Sequence, residues 1–148
     1  AFMIKTDIFR QMGFFDEYYF FCPEDIALST ALNRRGYFCY VNASVELIHY
    51  EGASSGERIS RIKAATMPAG EKGTIRFLAG SSVMAYISLT CFSCTMALLR
   101  SLKYRMQSKP PGDNASIMST ANRNVVSALL TKKTPKEIFV KYYGRIKR

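Results

Sequence analysis

Two acids in succession, Glu24 and Asp25, follow Pro23 and open a stretch with helical spacing. A carboxylate held at a helix start beside an aromatic loop can reach into a half-enclosed pocket and take a proton from a hydroxyl, which is the work of a general base. The pair also has a plainer use, because negative charge in the first turn complements the helix dipole, and spacing alone favours that use. Just before it runs Phe14-Phe15-Asp16-Glu17-Tyr18-Tyr19-Phe20-Phe21, in which Phe15, Tyr18, Tyr19 and Phe20 suit either stacking on a ligand or packing in a core. His49, the single histidine, ends a predicted strand and precedes Tyr50-Glu51-Gly52-Ala53-Ser54-Ser55-Gly56. Taken alone, such a histidine is usually a satisfied structural residue. The Gly/Ser loop after it offers backbone N–H groups to an anion, with Arg58 or Arg61 adding positive charge. Cys91-x-x-Cys94 lies in an apolar run without other ligand types nearby, and the four cysteines show no disulfide-framework spacing, so reduced thiols are expected.

The elements that would position these residues are legible in outline. Ala1-Phe2-Met3-Ile4-Lys5 reads as a strand already under way, with no initiator Met and no signal-peptide pattern, so the chain is expected to be a piece of a longer protein. A short helix is predicted over Thr6 to Met12, with a turn at Gly13. A second helix is predicted from Pro23, suited to a first turn, to Arg35, where Gly36 ends it. Tyr37 to Val41 and Val45 to His49 are rich in β-branched and aromatic residues and read as strands around an Asn42-Ala43-Ser44 turn. Residues 1–60 are thus expected to be α/β.

From Leu78 to Leu99 the chain holds 22 residues without a charge, long enough to cross the hydrocarbon core as a helix. Six Ser/Thr interrupt the run, and basic residues flank it on both sides: Arg58, Arg61, Lys63, Lys72 and Arg76 before, Arg100, Lys103, Arg105 and Lys109 after. Basic segments stay on the cytoplasmic side, so insertion from one face, or a hairpin, is favoured over a full span. The formal charge of +10 is concentrated late: residues 100–148 hold twelve Lys/Arg against two Asp/Glu, whereas residues 1–50 hold four against six. After a Pro/Gly-rich linker, Ser108 to Asn114, two short helices are expected. The second is opened by the capping box Thr134-Pro135-Lys136-Glu137. Its Ile138, Phe139, Tyr142, Tyr143 and Ile146 alternate with basic residues, as on a helix lying on a membrane surface. No nucleic-acid-binding motif accompanies the charge, so no nucleic-acid partner is expected.

Five pieces in order carry a resemblance: Ala1-Phe2-Met3, Gly13-Phe14-Phe15-Asp16-Glu17, Glu24-Asp25-Ile26-Ala27-Leu28, Gly36-Tyr37, and His49-Tyr50-Glu51-Gly52-Ala53-Ser54. Together they resemble the C-terminal half of the catalytic domain of family 2 inverting glycosyltransferases, particularly the rhamnosyltransferase-like members. The resemblance implies a Rossmann-like GT-A half-domain over 1–60; composition adds a connecting stretch with an apolar membrane-associated helix over 61–107 and a basic helical tail over 108–148. The resemblance also implies Asp25 as general base and His49 as a ligand to Mg or Mn. Glu24, Tyr18, Tyr19, Ser54, Ser55 and Arg58 would contact donor or acceptor. The reaction implied is transfer from a nucleotide-sugar donor to a saccharide or lipid-linked acceptor in cell-surface polysaccharide synthesis, at the cytoplasmic face of the inner membrane. Two departures stand out. Ala27 occupies a position where many relatives carry a second acid, and no Asp-x-Asp occurs, so the chain alone is expected to be inactive. The rival expectation is a non-catalytic membrane-associated adaptor derived from a transferase.

Overall fold

The computed structural model describes residues 2–46, 48, 59–107 and 114–146. It contains six helices: α1 Thr6–Gln11, α2 Glu24–Arg34, α3 Ile59–Ala79, α4 Val83–Gln107, α5 Asn114–Leu129 and α6 Pro135–Ile146. The expected α/β architecture is overturned, since the described residues are all-α and include no strand. Segments read as strands, Phe2 to Lys5, Tyr37 to Val41 and the described part of Val45 to His49, are irregular, and Phe38, Tyr40 and Val41 are 78, 88 and 95% exposed. Their β-branched and aromatic composition marks a fit to a pleated, half-buried surface. A strand also needs a neighbour to take its N–H and C=O groups, and none lies among the described residues. Helices satisfy their backbones locally, and α1, α2 and α6 form within a residue or two of their expected limits. Gly36 adopts φ +83 just past α2, as a helix-ending glycine should. The capping box at α6 is present, with Thr134 N–H donating to Glu137 Oε2 at 2.7 Å and Glu137 N–H to Thr134 Oγ1 at 3.3 Å.

Helices α3, α4, α5 and α6 pack together, with α5 against both α3 and α4, and α6 against α3. The core between them is made largely of small residues. Ala65, Ala69 and Ala128 surround Ile138 and Tyr142, and a second cluster joins Ile75, Ala97, Val125 and Leu129. Small side chains let helix backbones approach closely, and polar groups then hold the seams. Ser101 Oγ and Ser119 Oγ each donate to the other's carbonyl, at 3.1 and 3.0 Å, across α4 and α5. Ser93 Oγ donates to Glu71 Oε1 at 2.5 Å across α4 and α3. Lys72 is 4% exposed, and its ammonium donates to the Ala128 and Thr131 carbonyls at the end of α5, where a cation meets the negative end of the helix dipole.

Pro68 sits inside α3. A proline there has no N–H for the carbonyl four residues back. That carbonyl, of Ala64, instead accepts Asn124 Nδ2 from α5 at 2.9 Å, so a defect in one helix becomes a cross-link to another.

The charge-free run does not fold as one piece. It is split by a turn at Gly80–Ser82, so the apolar helix is α4, the one described helix long and apolar enough to cross a membrane. Little of its apolar stretch is buried. Met84, Ile87, Phe92, Leu98, Leu99, Leu102 and Met106 all lie half or more exposed, while Ala97 and Ser101 face α5. A charge at a lipid-facing position costs about 2.5 to 3.5 kcal/mol at full depth. The double substitution Ile87→Glu, Leu98→Glu is therefore expected to remove most of the protein from the floating fraction in a vesicle flotation assay. The melting temperature should hold, because neither side chain is in the core. Flotation equal to wild type would show that this face does not meet lipid.

Candidate functional site

The segment between α1 and α2 carries most of the residues singled out in the sequence. It begins with Gly13 and Phe14 at φ +80 and +67, a reversal that brings Phe9 into edge contact with Phe14 and Phe15 at 5.2 and 5.3 Å between ring centres. Asp16 then organises a tight turn. Its Oδ1 accepts Tyr18 N–H at 2.9 Å and its carbonyl accepts Tyr19 N–H at 3.0 Å. The turn aims Tyr19 edge-on at Phe77 of α3, 6.1 Å away. Phe21 stacks on Phe139 of α6 at 5.1 Å, with Phe20 tilted against the same ring at 5.2 Å. Each such aromatic pair contributes about 0.5–1.5 kcal/mol beyond area burial.

The backbone of Phe21 and Cys22 lies directly on α3. A Cβ at Gly70 would come within 2.7 Å of the Phe21 carbonyl oxygen, and one at Gly73 within 2.5 Å of that of Cys22. Both residues hold positive φ, +67 and +89, and the Cys22–Pro23 peptide is cis. Glu24, first residue of α2, accepts the Cys22 N–H on Oε2 at 2.6 Å, so one oxygen of its carboxylate is engaged in holding the approach to the helix. Pro23 caps α2 from outside its first turn. Asp25 is exposed in that turn, and its carboxylate accepts the Ile26 N–H at 2.8 Å. Burial, then the charges of Glu24 and Asp25, push the Cys22 thiol up, so it stays protonated. At the far end of α2, Arg35 donates to the Gln11 carbonyl at 2.6 Å and ties the helix back to α1.

Two clefts open beside this segment. The first, about 550 Å³, lies where the aromatic turn meets the α3–α4 junction and is lined by Asp16, Tyr18, Tyr19, Arg76, Ser81 and Tyr86, among others. Tyr18 and Tyr19 are pushed above the ordinary phenol range, chiefly by burial, with Tyr86 adding for Tyr18 and Asp16 for Tyr19, and with Arg76 opposing in both. Both therefore keep their hydroxyl protons at neutral pH. The second cleft, about 490 Å³, lies between the end of α1, α2 and α3; it shares Asp16 and Tyr19 with the first and reaches Leu28 and Arg34.

The structure thus brings Tyr18 and Tyr19 to a cleft, places Glu24 under the loop and leaves Asp25 on the surface, lining neither cleft. His49, Ser54, Ser55 and Arg58 lie outside the described residues. Among the described residues no group of three or more His, Cys, Asp or Glu comes together to hold a metal ion. Arg76, Ser81 and Tyr86 are site residues that the sequence did not reveal. Their one signal was that Arg76 is the last charge before the uncharged run and Gly80-Ser81-Ser82 its first turn-forming triplet.

Against known proteins, the chain is 34% identical over 77 residues to an N-acetylglucosaminyl-diphospho-decaprenol L-rhamnosyltransferase of Mycobacterium tuberculosis, in strain CDC 1551 / Oshkosh and equally in strain ATCC 25618 / H37Rv. The match covers 52% of this chain and 24% of the relative, so the chain spans about a quarter of the length of the curated relatives it matches. No family model matches, and no solved structure matches significantly. The likeness supports a relationship to glycosyltransferases.

The loop's seat on α3 is directly testable. Gly73→Ala forces a Cβ against a backbone carbonyl, and overpacking of this kind costs about 1–3 kcal/mol. Gly144→Ala in α6, where a Cβ meets nothing within 4 Å, should be neutral or stabilising by up to about 1 kcal/mol, because alanine loses less entropy in a helix. Urea unfolding of the two variants checks this. Equal stabilities would show that the loop does not rest on α3.

Proposed function

We propose that the chain is part of an inverting glycosyltransferase that moves a sugar from a nucleotide-sugar donor to a saccharide or lipid-linked acceptor in cell-surface polysaccharide synthesis. The observation that carries the reading is the likeness to the mycobacterial rhamnosyltransferase, whose name specifies a sugar carried on a diphospho-decaprenol. Asp25 is exposed at the head of α2 and lines neither cleft. In a single displacement the acceptor hydroxyl attacks the anomeric carbon from the face opposite the leaving nucleoside diphosphate, and its proton must go to a nearby base. Asp25 is assigned that role. Its carboxylate is solvent-accessible, with one oxygen accepting the Ile26 N–H. Glu24, bound to the Cys22 N–H, holds the turn that presents Asp25 and has a second oxygen for substrate.

The same proposal gives the donor diphosphate to the loop of Ser54 and Ser55 with Arg58. It gives a divalent cation, Mg or Mn, to a site that includes His49; such an ion, when bound, would offset charge on the leaving diphosphate. The described residues do not supply a ligand set for it. The exposed apolar face of α4 and the basic tail suit work at a membrane, assigned here to the cytoplasmic face of the inner membrane.

Asp25→Asn keeps size and removes the proton acceptor. In the full-length gene product, with membrane-extracted lipid-linked acceptors and nucleotide sugars, kcat is expected to fall about 10² to 10⁴-fold, with donor KM unchanged. Turnover within threefold of wild type would sink the assignment of Asp25. A wild-type protein inert towards every nucleotide sugar would favour the adaptor reading.

A further inference from the structure

The cleft at the α3–α4 junction has a lining that none of the comparisons assigns. Its one carboxylate, Asp16, is matched by one guanidinium, Arg76, so the pair balances and the cleft attracts neither a free anion nor a cation strongly. The rest is phenol and hydroxyl: Tyr18, Tyr19 and Tyr86 supply ring faces and O–H groups, and Ser81 a further hydroxyl. Part of this equipment is already used. Asp16 Oδ1 holds the turn, Arg76 Nη1 donates to the Gly80 carbonyl at 3.2 Å, and Ser82 Oγ takes the Ala85 N–H at 3.2 Å. What is left is one carboxylate oxygen and the remaining guanidinium N–H groups, set among aromatic rings. A neutral polyol fits that inventory. Adjacent sugar hydroxyls each donate and accept, a carboxylate and a guanidinium answer them in pairs, and a sugar's apolar C–H face lies on a ring. At about 550 Å³ the space is in the range of small-ligand sites.

The position of the cleft adds the second half. Val83 lines it and begins α4, whose outward face continues through Met84 and Ile87 to Leu98, all exposed. The cleft thus borders the start of an exposed and largely apolar helix face. The complementary ligand has a sugar head and a hydrocarbon tail. We propose that this cleft binds the saccharide head of a lipid-linked sugar, with the lipid running along the exposed face of α4. The inference rests on the transferase reading for its choice of lipid-linked sugar. It adds Asp16, Arg76 and Tyr86 as acceptor-binding residues, and the shared wall of Asp16 and Tyr19 joins their cleft to the one beside α2, the helix that Asp25 opens.

The test is binding, read by saturation-transfer NMR on the full-length gene product in phosphatidylcholine nanodiscs. The probes are an N-acetylglucosaminyl-diphospho-polyprenol of short chain and the same polyprenyl diphosphate without sugar. Asp16→Asn, which keeps the Oδ1 that holds the turn, and Arg76→Gln are each expected to raise the Kd for the glycosylated probe tenfold or more. Tyr86→Phe should raise it severalfold, and circular dichroism and melting should match wild type for all three. The sugar-free probe should bind weakly and alike to all. Unchanged Kd values for the glycosylated probe overturn the proposal, as does equal affinity of wild type for the sugar-free probe, which would make the cleft a phosphate site. Because the readout needs no turnover, failure of the transferase reading and failure of the cleft give different results.

Discussion

The carbonyls of Phe21 and Cys22 rest where two glycines of α3 have no side chains, and the placement of Glu24 and Asp25 follows from that contact. Glu24 and Asp25 stand at the head of α2 because the backbone immediately before them is laid on Gly70 and Gly73. Two successive non-glycine residues at positive φ cost about 1–3 kcal/mol each. The packing of Phe21, stacked, and Phe20, tilted, on Phe139, itself stacked on Tyr143, lies at the same spot and offsets part of that cost. Strain and its compensation are therefore a few residues from the proposed base. A site built this way tolerates little change in α3, although α3 contributes no proposed catalytic group.

Helix α3 can serve as that platform because its own irregularities are absorbed by neighbours. Pro68 releases the Ala64 carbonyl, which Asn124 takes up; Lys72 turns its charge into the end of α5; Glu71 receives Ser93. These bonds cross between helices whose packed faces include several alanines and the Ser101–Ser119 pair, where apolar burial alone is modest. Register along α3 is set by polar groups at fixed positions. The same register fixes the distance from Gly70 and Gly73 to Phe77 and Arg76, and hence from the loop seat to the first cleft.

What could be read from the sequence was what is encoded locally. Pro135 and the Thr134–Glu137 box fixed the start of α6, Gly36 fixed the end of α2, and Gly13 marked the turn into the aromatic loop. The strands were misjudged because composition at Phe38, Tyr40 and Val41 speaks of a surface to pack on, and no neighbouring strand lies among the described residues. Helix α3 escaped notice for the opposite reason. Pro68, Gly70 and Gly73 are poor helix formers, and their value lies only in what they admit: an asparagine amide, and two carbonyls of a loop some fifty residues earlier. The first cleft was hidden because the turn at Gly80 divides a run that hydropathy reads as continuous. Asp16 and Arg76, sixty residues apart, line one cleft only through the fold.

The placement of α4 relative to a bilayer can be argued from length and charge. Its uncharged part, Val83 to Leu99, is 17 residues, about 26 Å at 1.5 Å per residue, short of the roughly 30 Å hydrocarbon core. Beyond it come Arg100, Lys103 and Arg105, and Arg76 precedes it, so both ends favour the same aqueous side. One flank of the helix is also occupied, through Ala97 and Ser101, by α5. A helix crossing the bilayer would carry that packed flank and its serine bonds into lipid and leave charge on both faces. Lying along an interface, it would present Ile87, Leu98 and Leu102 to acyl chains and keep the bundle in water. In that placement the first cleft, which Val83 lines, would stand near the depth of the headgroups.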